Sequence, residues 1–322
     1  MLKIGILGVG HFGKIHIKCI QEIPEYQLVG FYDPNIELSN IVSKEYSLKA
    51  FDTLDELIDA CDIVDVVSTT SSHFECASAA LKKFKHVFIE KPVVSTIEEA
   101  TKLIQIALEA DVKVQIGHVE RFNPAFIEAK TYIEKPMFIE AHRLSQFKPR
   151  GSDVSVVLDL MIHDIDVVLS VVNSNIKRIS ASGVGIVSET SDIASARIEF
   201  DNGCVANLTA NRLSVKSMRK ARFFQKSSFI SVDFLKKEFD VVGLKDANGE
   251  LSENAILIET LTKGKKEITF KKPVVRESNA IRSELQSFYH AIVNNETPLV
   301  TINDGFKSLE VAQEIIDKIG NF

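Results

Sequence analysis

Apolar and polar positions in the first part of the chain follow two alternating periods, which predicts strands and helices in turn. Short apolar runs typical of buried strands occur at 3–7, 27–32, 62–68, 86–90 and 112–116, with a shorter run at 49–51. Between these runs, apolar residues at helical spacing predict helices at 14–22, 35–46, 53–60, 75–83 and 96–111. Strands that alternate with helices at this spacing indicate a parallel, doubly wound sheet with right-handed connections.

The pattern changes after residue 138, where strands follow one another directly. Alternation of apolar and polar residues predicts strands at 138–144, 177–187, 192–200, 204–212, 219–225 and 229–233, and helices at 156–172, 278–294 and 304–319. Consecutive strands with a hairpin signal at 201–203 indicate a large, mostly antiparallel sheet with one open face. We therefore predict an α/β fold with two domains, residues 1–122 and 123–322, and with terminal helices able to pack back on the first domain.

Composition narrows the class of protein without identifying its chemistry. The 322 residues are 45% hydrophobic and 25% charged, which is ordinary for globular chains and long enough for two cores. A net charge of −6 argues against general binding to nucleic acid or to an anionic membrane. The four cysteines have no metal or disulfide spacing, and no apolar run suits a membrane span. We expect a cytoplasmic protein with no metal, no nucleic acid and no membrane among its partners.

The first predicted strand runs directly into the glycine motif Gly8-Val9-Gly10-His11-Phe12-Gly13, which a helix follows. The second strand ends at Asp33, about 20 residues beyond the motif, so the segment has the full context of a dinucleotide-binding unit. Glycines let the backbone approach a pyrophosphate at the helix N-terminus, and a carboxylate at this position accepts hydrogen bonds from the ribose. Because that carboxylate would repel a 2′-phosphate, NAD is favoured over NADP. The alternative is a tight glycine turn without a ligand.

Two further loops follow predicted strands and should meet the same edge of the sheet. The first is the polar cluster Ser68 to His73, in which His73 could stack on or bond the nicotinamide side, although Ser71 or Ser72 could simply cap a helix. The second is Glu90-Lys91-Pro92, where the proline stiffens the turn after the lysine. The candidate cofactor residues are Gly8, Gly10, His11, Phe12, Gly13, Asp33, Ser68, Thr69, His73, Glu90 and Lys91.

The segment after the strand at 112–116 contains two candidate substrate contacts. Arg121 can offer a bidentate fork to a phosphate or carboxylate, or it can form an exposed ion pair with Glu120 or Glu128. Asn123 precedes Pro124, which is the pattern of a helix N-cap. Candidate substrate-binding residues in the two halves are Arg121, Asn123, Arg150, Asp159 and His163.

The helix predicted at 156–172 is apolar except for one narrow polar stripe. Its members follow each other at steps of four or three residues, on one helix face: Ser155, Asp159, His163, Asp166 and Ser170. A solvated face is the simpler interpretation, but such faces usually carry long Lys, Glu or Arg side chains. Short carboxylates and an imidazole against apolar surface would be costly to bury unpaired, whereas a wet, ligand-lined cavity satisfies them.

Taken together, three segments resemble the Gfo/Idh/MocA oxidoreductase family over essentially the whole chain: Gly8–Gly13, Glu90-Lys91-Pro92 and Asp159–Asp166. Thr69 and Met161 depart from the proline and glycine that are usual in that family. The resemblance implies a Rossmann domain, a second α/β domain with an open sheet, and a homodimer or homotetramer formed through that sheet. It also implies hydride transfer between a sugar or polyol hydroxyl carbon and NAD(P). By motif match, Lys91, Asp159 and His163 are the catalytic candidates.

Residues 117–124 and 158–164 further resemble, within the family, enzymes that oxidise the 3-hydroxyl of a UDP-N-acetylhexosamine. In that hypothesis His163 removes the hydroxyl proton, Lys91 stabilises the developing alkoxide, and Asp159 orients His163 or holds a neighbouring hydroxyl. Lys91 and His163 could exchange roles. The alternatives are a dehydrogenase or reductase of a free sugar or inositol, and a dinucleotide-binding sensor without turnover.

Overall fold

A computed structural model describes residues 1–147, 154–247 and 255–320 of the chain. Its contacts divide the chain into two compact units. The first contains Met1–Phe122 and Asn279–Glu310, and the second contains Asn123–Ser278 and the residues from Val311 onward. Residues 279–310, which lie in the second predicted domain by number, therefore belong to the first unit. None of the helices in the described parts of the chain combines the length and apolar character that a membrane crossing requires.

The first unit contains a five-stranded parallel sheet, as the sequence predicts. Its strands are β1 (Leu2–Leu7), β2 (Tyr26–Tyr32), β3 (Ile63–Val66), β4 (His86–Glu90) and β5 (Val114–Gly117). Its first five helices are α1 (His11–Gln21), α2 (Ile36–Tyr46), α3 (Leu54–Ala60), α4 (Thr70–Lys82) and α5 (Ile97–Ala110). The strand order β2-β1-β3-β4-β5 places a topological switch point between β1 and β3, where ligands bind in such sheets.

The strand predicted at residues 49–51 is wrong, because only one bridge forms there. Ala50 pairs with Phe31 at the edge of the sheet, where the Phe31 N–H donates to the Lys49 carbonyl at 3.0 Å. Residues 49–51 exchange backbone hydrogen bonds with Phe31 of β2, but the segment is too short to continue the ladder as a strand.

The core of the first unit joins the sheet to a helix from far along the chain. Ile4, Ile6 and Phe88 of the strands are fully buried together with Leu285 and Phe288 of the later helix. This later helix also accepts a hydrogen bond of 2.7 Å, from the Tyr26 hydroxyl to the Leu285 carbonyl. This packing explains why residues 279–310 cluster with the first unit.

The second unit is built around a nine-stranded sheet with the order β13-β14-β12-β11-β10-β6-β9-β8-β7. The elements from residue 123 to the end of the described chain are α6 (Pro124–Lys130), β6 (Phe138–Leu144), α7 (Ile162–Val171), β7 (Ile176–Val184), β8 (Ile193–Phe200), β9 (Val205–Asn211), β10 (Met218–Gln225), β11 (Ser228–Asp233), β12 (Glu238–Asp246), β13 (Ile256–Thr260), β14 (Gly264–Lys271), α8 (Ala280–Val293) and α9 (Ile302–Ile319). Strands β6 and β9 pair in parallel and the other neighbours pair antiparallel, so the predicted fold class is confirmed.

One face of this sheet is buried and the other is open. Along β6 the burial alternates, with Ile139, Ala141 and Arg143 buried and Phe138 and His142 partly exposed. The buried face packs against apolar residues of α6 and α7 and of the C-terminal half of α9. Alternation of this kind is expected where helices cover a single face of an antiparallel sheet.

Candidate functional site

The glycine motif occupies the turn between β1 and α1, and two of its glycines have no room for a side chain. A Cβ on Gly8, whose φ is +93°, would lie 2.6 Å from the Ser68 Cα, and one on Gly13 would lie 2.1 Å from the Gly8 carbonyl oxygen. The turn can therefore pack against the end of β3 only as glycine. Gly10 precedes α1 in extended conformation and carries no side chain to cap it. The helix start is thus open to an anionic ligand, as a pyrophosphate site requires.

His11 and Phe12 form the exposed part of the same turn. Both side chains are exposed, and their rings meet edge to face with centroids 5.8 Å apart. They are the two residues of the motif that offer side chains to a ligand. The sequence places them beside the cofactor, and their exposure is consistent with that prediction.

Asp33 directly follows β2 and is tied to the glycine turn. Its Oδ2 accepts a hydrogen bond of 2.9 Å from the Val9 backbone N–H, and its Oδ1 accepts one of 2.9 Å from Asn35 N–H. Two backbone amides thus hold the carboxylate beside the turn that would receive a dinucleotide. The arrangement fits the predicted ribose contact.

The loop after β3 is shorter than the sequence suggests, because α4 already begins at Thr70. Thr69 is the N-cap residue and makes no side-chain cap, so the predicted cap by Ser71 or Ser72 is wrong. The Ser72 hydroxyl instead bonds the Ser68 hydroxyl at 2.7 Å, which ties the first turn of α4 back to the strand end. The polar run Ser68 to His73 has no apolar periodicity, so the sequence predicts a loop where the first turn of α4 lies.

His73 links two strand-end loops from inside the unit. Only 1% of the residue is exposed, with Nδ1 lying 2.9 Å from the Pro92 carbonyl and Nε2 3.2 Å from the Ser68 carbonyl. Burial lowers the pKa of this imidazole despite the two carbonyls that oppose the shift. The structure thus gives His73 a role in joining the two loops, and its contact with a nicotinamide stays a prediction.

Glu90-Lys91-Pro92 closes β4 at the same sheet edge as the glycine turn. The Lys91 backbone N–H donates to Glu90 Oε2 at 3.1 Å, and the Lys91–Pro92 peptide bond is cis. His73 holds the Pro92 carbonyl from the other side, so hydrogen bonds restrain the backbone on both sides of Lys91. Gly8, Asp33, Ser68, Glu90 and Lys91 are therefore brought together at the carboxyl ends of β1 to β4.

Arg121 has a partner that the sequence does not reveal. It lies in a 3-10 turn at Val119–Phe122, its side chain is 10% exposed, and its Nη2 is 3.4 Å from Asp304 Oδ1. Burial alone would raise the pKa of Asp304, but Thr301 and Arg121 outweigh it and lower that pKa. The pair joins this turn to the start of α9, and the contact of Arg121 with a phosphate or carboxylate of the substrate stays a prediction.

Asn123 is a buried helix cap. Its Oδ1 accepts from the Ala125 N–H at 3.2 Å, and its Nδ2 donates to the Phe234 carbonyl at 3.0 Å. Both ends of the amide are thus used within the second unit, and 5% of the residue is exposed. The N-cap interpretation of Asn123 is confirmed, and its contact with substrate stays a prediction. Arg150, the remaining predicted substrate contact, lies outside the described residues.

The polar stripe falls on two kinds of helix in the second unit. A π-helical turn at Val157–Met161 contains Asp159, and α7 follows it with His163 in its first turn. Both side chains are half-buried, whereas Asp166 of the same stripe is fully buried. Single π-turns within helices occur frequently at functional sites because they change the direction of the side chains they carry.

Asp164, which flanks the stripe, is not part of it. Its carboxylate receives two hydrogen bonds from the Arg143 guanidinium, from Nε at 3.0 Å and from Nη2 at 2.9 Å. Both residues are buried, so the bidentate pair fastens α7 to β6.

Comparison with known proteins follows this geometry. Residues 2–118 match the Gfo/Idh/MocA oxidoreductase family, NAD-binding Rossmann fold, and residues 127–229 match the Gfo/Idh/MocA C-terminal domain. The chain is 38% identical, over 73% of its length and 74% of the relative, to UDP-N-acetylglucosamine 3-dehydrogenase of Acidithiobacillus ferrooxidans.

The chain belongs to the Gfo/Idh/MocA oxidoreductase family. A solved structure of the Acidithiobacillus ferrooxidans enzyme matches with a TM-score of 0.89 at 31% identity, over 99% of this chain and 97% of the other. The scyllo-inositol 2-dehydrogenase (NAD(+)) of Bacillus subtilis is 26% identical over 96% of this chain and 92% of its own. Family membership confirms an oxidoreductase with an NAD-binding Rossmann domain.

The sequence did not single out His16, which contacts the Glu90-Lys91-Pro92 motif. His16 on α1 is fully buried, with Nδ1 2.9 Å from Asp65 Oδ2 and Nε2 3.2 Å from Glu90 Oε1. It thus contacts the residue directly before Lys91. A signal was present, because His16 stands among apolar helix positions and Asp65 interrupts an apolar strand, where charged groups are rarely buried unless paired.

Proposed function

We propose that this chain is an NAD-dependent dehydrogenase that oxidises the 3-hydroxyl of a UDP-N-acetylhexosamine. The observation that carries the proposal is the grouping of Gly8, Asp33 and Lys91 at one sheet edge, with Asp33 bonded to the glycine turn at 2.9 Å. The likeness to UDP-N-acetylglucosamine 3-dehydrogenase, at 38% identity, supports the choice of substrate class.

The residues of the first unit fit a dinucleotide. The Gly8 and Gly13 backbone leaves space that a Cβ would fill, and the start of α1 would face the pyrophosphate. Asp33 would accept hydrogen bonds from the ribose, and its charge favours NAD over NADP. When bound, NAD accepts the hydride that leaves the substrate carbon.

The reacting groups of the chain are Lys91, His163 and Asp159. An imidazole titrates near neutral pH, so His163 is suited to take the hydroxyl proton, and the Lys91 ammonium is suited to stabilise the alkoxide that forms. Asp159 would orient His163 or hold a neighbouring hydroxyl. Lys91 and His163 could exchange these roles. Arg121 and Arg150 are the proposed contacts for the nucleotide diphosphate.

The test measures reduced nicotinamide by absorbance with NAD and UDP-N-acetylglucosamine. Lys91→Ala and His163→Ala should each lower kcat by about 100-fold or more, because each removes a group that acts on the reacting oxygen. Binding of NAD, measured by calorimetry, should stay close to wild type in both. Lys102→Ala, an exposed lysine of α5, is the matched control and should leave kcat unchanged. Wild-type turnover in both variants would contradict the assignment.

A second candidate is oxidation of inositol or a free sugar, which the 26% identity to scyllo-inositol 2-dehydrogenase over 96% of the chain favours. Competition by UDP separates the two candidates. UDP should inhibit turnover if the site binds a sugar nucleotide, and it should have no effect on an inositol dehydrogenase.

A further inference from the structure

Four ionisable side chains meet inside the first unit, and we call them the His16 cluster: His16 of α1, Asp65 of β3, Glu90 of β4 and Glu284 of α8. His16, Asp65 and Glu284 are fully buried, and the Glu90 side chain is 13% exposed. Three carboxyl groups and one imidazole are therefore buried together. Which of these four side chains carry protons determines the net charge of the cluster next to Lys91.

His16 is held between two carboxylates. Nδ1 is 2.9 Å from Asp65 Oδ2, and Nε2 is 3.2 Å from Glu90 Oε1. A neutral imidazole has one N–H, so it can donate to only one of these oxygens, whereas an imidazolium donates to both. Burial alone would lower the pKa of His16, but Asp65 and Glu90 outweigh it and raise the pKa well above its ordinary value. The two contacts and the direction of the pKa shift both favour the imidazolium form of His16.

Glu284 is the one carboxyl group of the cluster to which His16 makes no hydrogen bond. Neither of its oxygens has a hydrogen-bond partner among the described residues. Burial also raises the pKa of Asp65, although its contact with His16 opposes that shift. Because one imidazolium already faces both Asp65 and Glu90, an ionised Glu284 would add a buried charge without a partner of opposite sign, which is unfavourable. Burial, and then the charges of Glu90 and Asp65, raise the pKa of Glu284 well above its ordinary value.

We propose that His16 is a positioning residue that acts through Glu90 as an imidazolium, and that Glu284 beside it is a neutral acid. The imidazolium keeps Glu90 ionised and fixed, so that the Glu90 carboxylate holds the Lys91 backbone and keeps the Lys91 side chain charged. This inference rests on the role proposed above for Lys91.

The contacts of Glu90 carry the effect to Lys91. Oε2 accepts the Lys91 backbone N–H at 3.1 Å, and Oε1 packs where a Cβ on Gly117 would come within 2.9 Å. Burial opposes ionisation of Glu90, but His16 and then Lys91 outweigh it and lower its pKa. By reciprocity, the Glu90 carboxylate favours the charged form of Lys91.

Two further ionisable side chains near the cluster, Cys19 and Tyr26, are held toward their neutral forms. Burial raises the pKa of the Cys19 thiol on α1 and of the Tyr26 hydroxyl on β2. From β5, Gln115 contributes an amide whose Nε2 donates to the Glu284 backbone carbonyl at 2.8 Å. A pH response of the cluster therefore comes from its four members and from Lys91.

A metal ion is the competing occupant. One ligand atom each from His16, Glu90 and Glu284 lie within 4.8 Å of one another, and Asp65 could orient the imidazole as a ligand. Protons are favoured because both His16 nitrogens already face carboxylate oxygens at hydrogen-bond distance. Metal content separates the two states.

The first test observes the proton on Glu284 without any turnover. Infrared spectra of the wild-type protein at pH 7 should contain the carbonyl stretch of a neutral carboxyl group, and Glu284→Gln should abolish it. Glu310→Gln, at an exposed residue of α9, is the control and should leave the band in place. Absence of the band in wild type, or its persistence in Glu284→Gln, would overturn the proposal. So would a stoichiometric metal ion that Glu284→Gln loses.

The second test reads the effect on Lys91 from the pH profile of kcat/KM. Glu90→Gln removes the charge beside Lys91 and should move the limb that Lys91 controls to lower pH by about one unit. Glu284→Gln keeps a neutral side chain of the same shape and should leave the profile unchanged. A shift in Glu284→Gln equal to that in Glu90→Gln would show an ionised Glu284 and refute the inference. If no substrate turns over at all, the proposed function fails while the infrared and metal results still decide the state of Glu284.

Discussion

Asp33 is held by the protein before any cofactor binds. Val9 N–H and Asn35 N–H each donate to one of its carboxylate oxygens at 2.9 Å. If a ribose binds to Asp33 as proposed, the carboxylate would lose little freedom, and its charge would oppose a 2′-phosphate at that position. Discrimination between the two cofactors should depend mainly on this one charge.

The first prediction removes that charge and keeps the shape. In Asp33→Asn, kcat/KM with NADP should rise relative to that with NAD by about tenfold, which corresponds to about 1.4 kcal/mol. Steady-state kinetics with each cofactor gives the ratio, and Asp52→Asn, at an exposed aspartate of the same unit, should not change it. An unchanged ratio in Asp33→Asn would mean that other groups select the cofactor.

Residues whose chemistry belongs to a local motif could be predicted from the sequence, and those defined by distant partners could not. Gly8, Gly13 and Asp33 follow from strand, turn and helix in close succession. Nothing in the sequence near Arg121 points to Asp304, the residue at the start of α9 whose carboxylate contacts the Arg121 guanidinium. The same limit hid His16, whose partners come from β3 and β4.

Helix α6 illustrates how an element's start can resemble a binding site. Asn123 caps it, Pro124 occupies its first turn, and the cap's amide also binds the Phe234 carbonyl at 3.0 Å. A polar residue beside a predicted strand end is ambiguous in sequence, because caps and ligand contacts use the same side chains. The structure confirms the cap and leaves the substrate contact of Asn123 as a prediction.

The second prediction tests the cap. Asn123→Ala should lower the free energy of unfolding by about 1–2 kcal/mol, because it loses a cap and leaves a buried carbonyl without its donor. Urea unfolding gives the change, and kcat should stay at the wild-type value. Asn35→Ala is the matched control, since Asn35 caps α2 at an exposed position and should cost less. A loss of kcat/KM without a loss of stability would show that Asn123 contacts substrate.

Strands of the second unit were predictable only where apolar and polar residues alternate cleanly. Strands β6 to β11 follow such patterns, and their predicted bounds agree with the observed ones to within a few residues. Strands β12, β13 and β14 were missed. Gly243 interrupts β12, and β14 carries three lysines and a glutamate within Gly264–Lys271, so tertiary pairing overrides a weak local preference.

The open face of the nine-stranded sheet is the surface through which the sequence predicts a homo-oligomer. Three half-buried aromatic rings lie on that face: Phe224 stacks on Phe229 with centroids 5.4 Å apart and meets Phe138 at 6.1 Å. Aromatic clusters on an otherwise polar sheet face are typical of the centre of a protein interface. A second copy of the chain, which carries the same cluster, would bury it symmetrically.

The last prediction places a charge within this cluster. Phe224→Lys should shift the protein to a lower oligomeric state at equal concentration, since an interface of about 800 Å² per partner cannot bury an unpaired ammonium without a large cost. Light scattering coupled to size exclusion measures the mass. Leu261→Lys, at the exposed turn between β13 and β14, should leave the mass of the oligomer unchanged. Because the substitution lies on the uncovered face, the core of the second unit should remain intact, and the thermal transition of the first unit should not move. If wild type and Phe224→Lys have the same mass, the open face is not the oligomer interface.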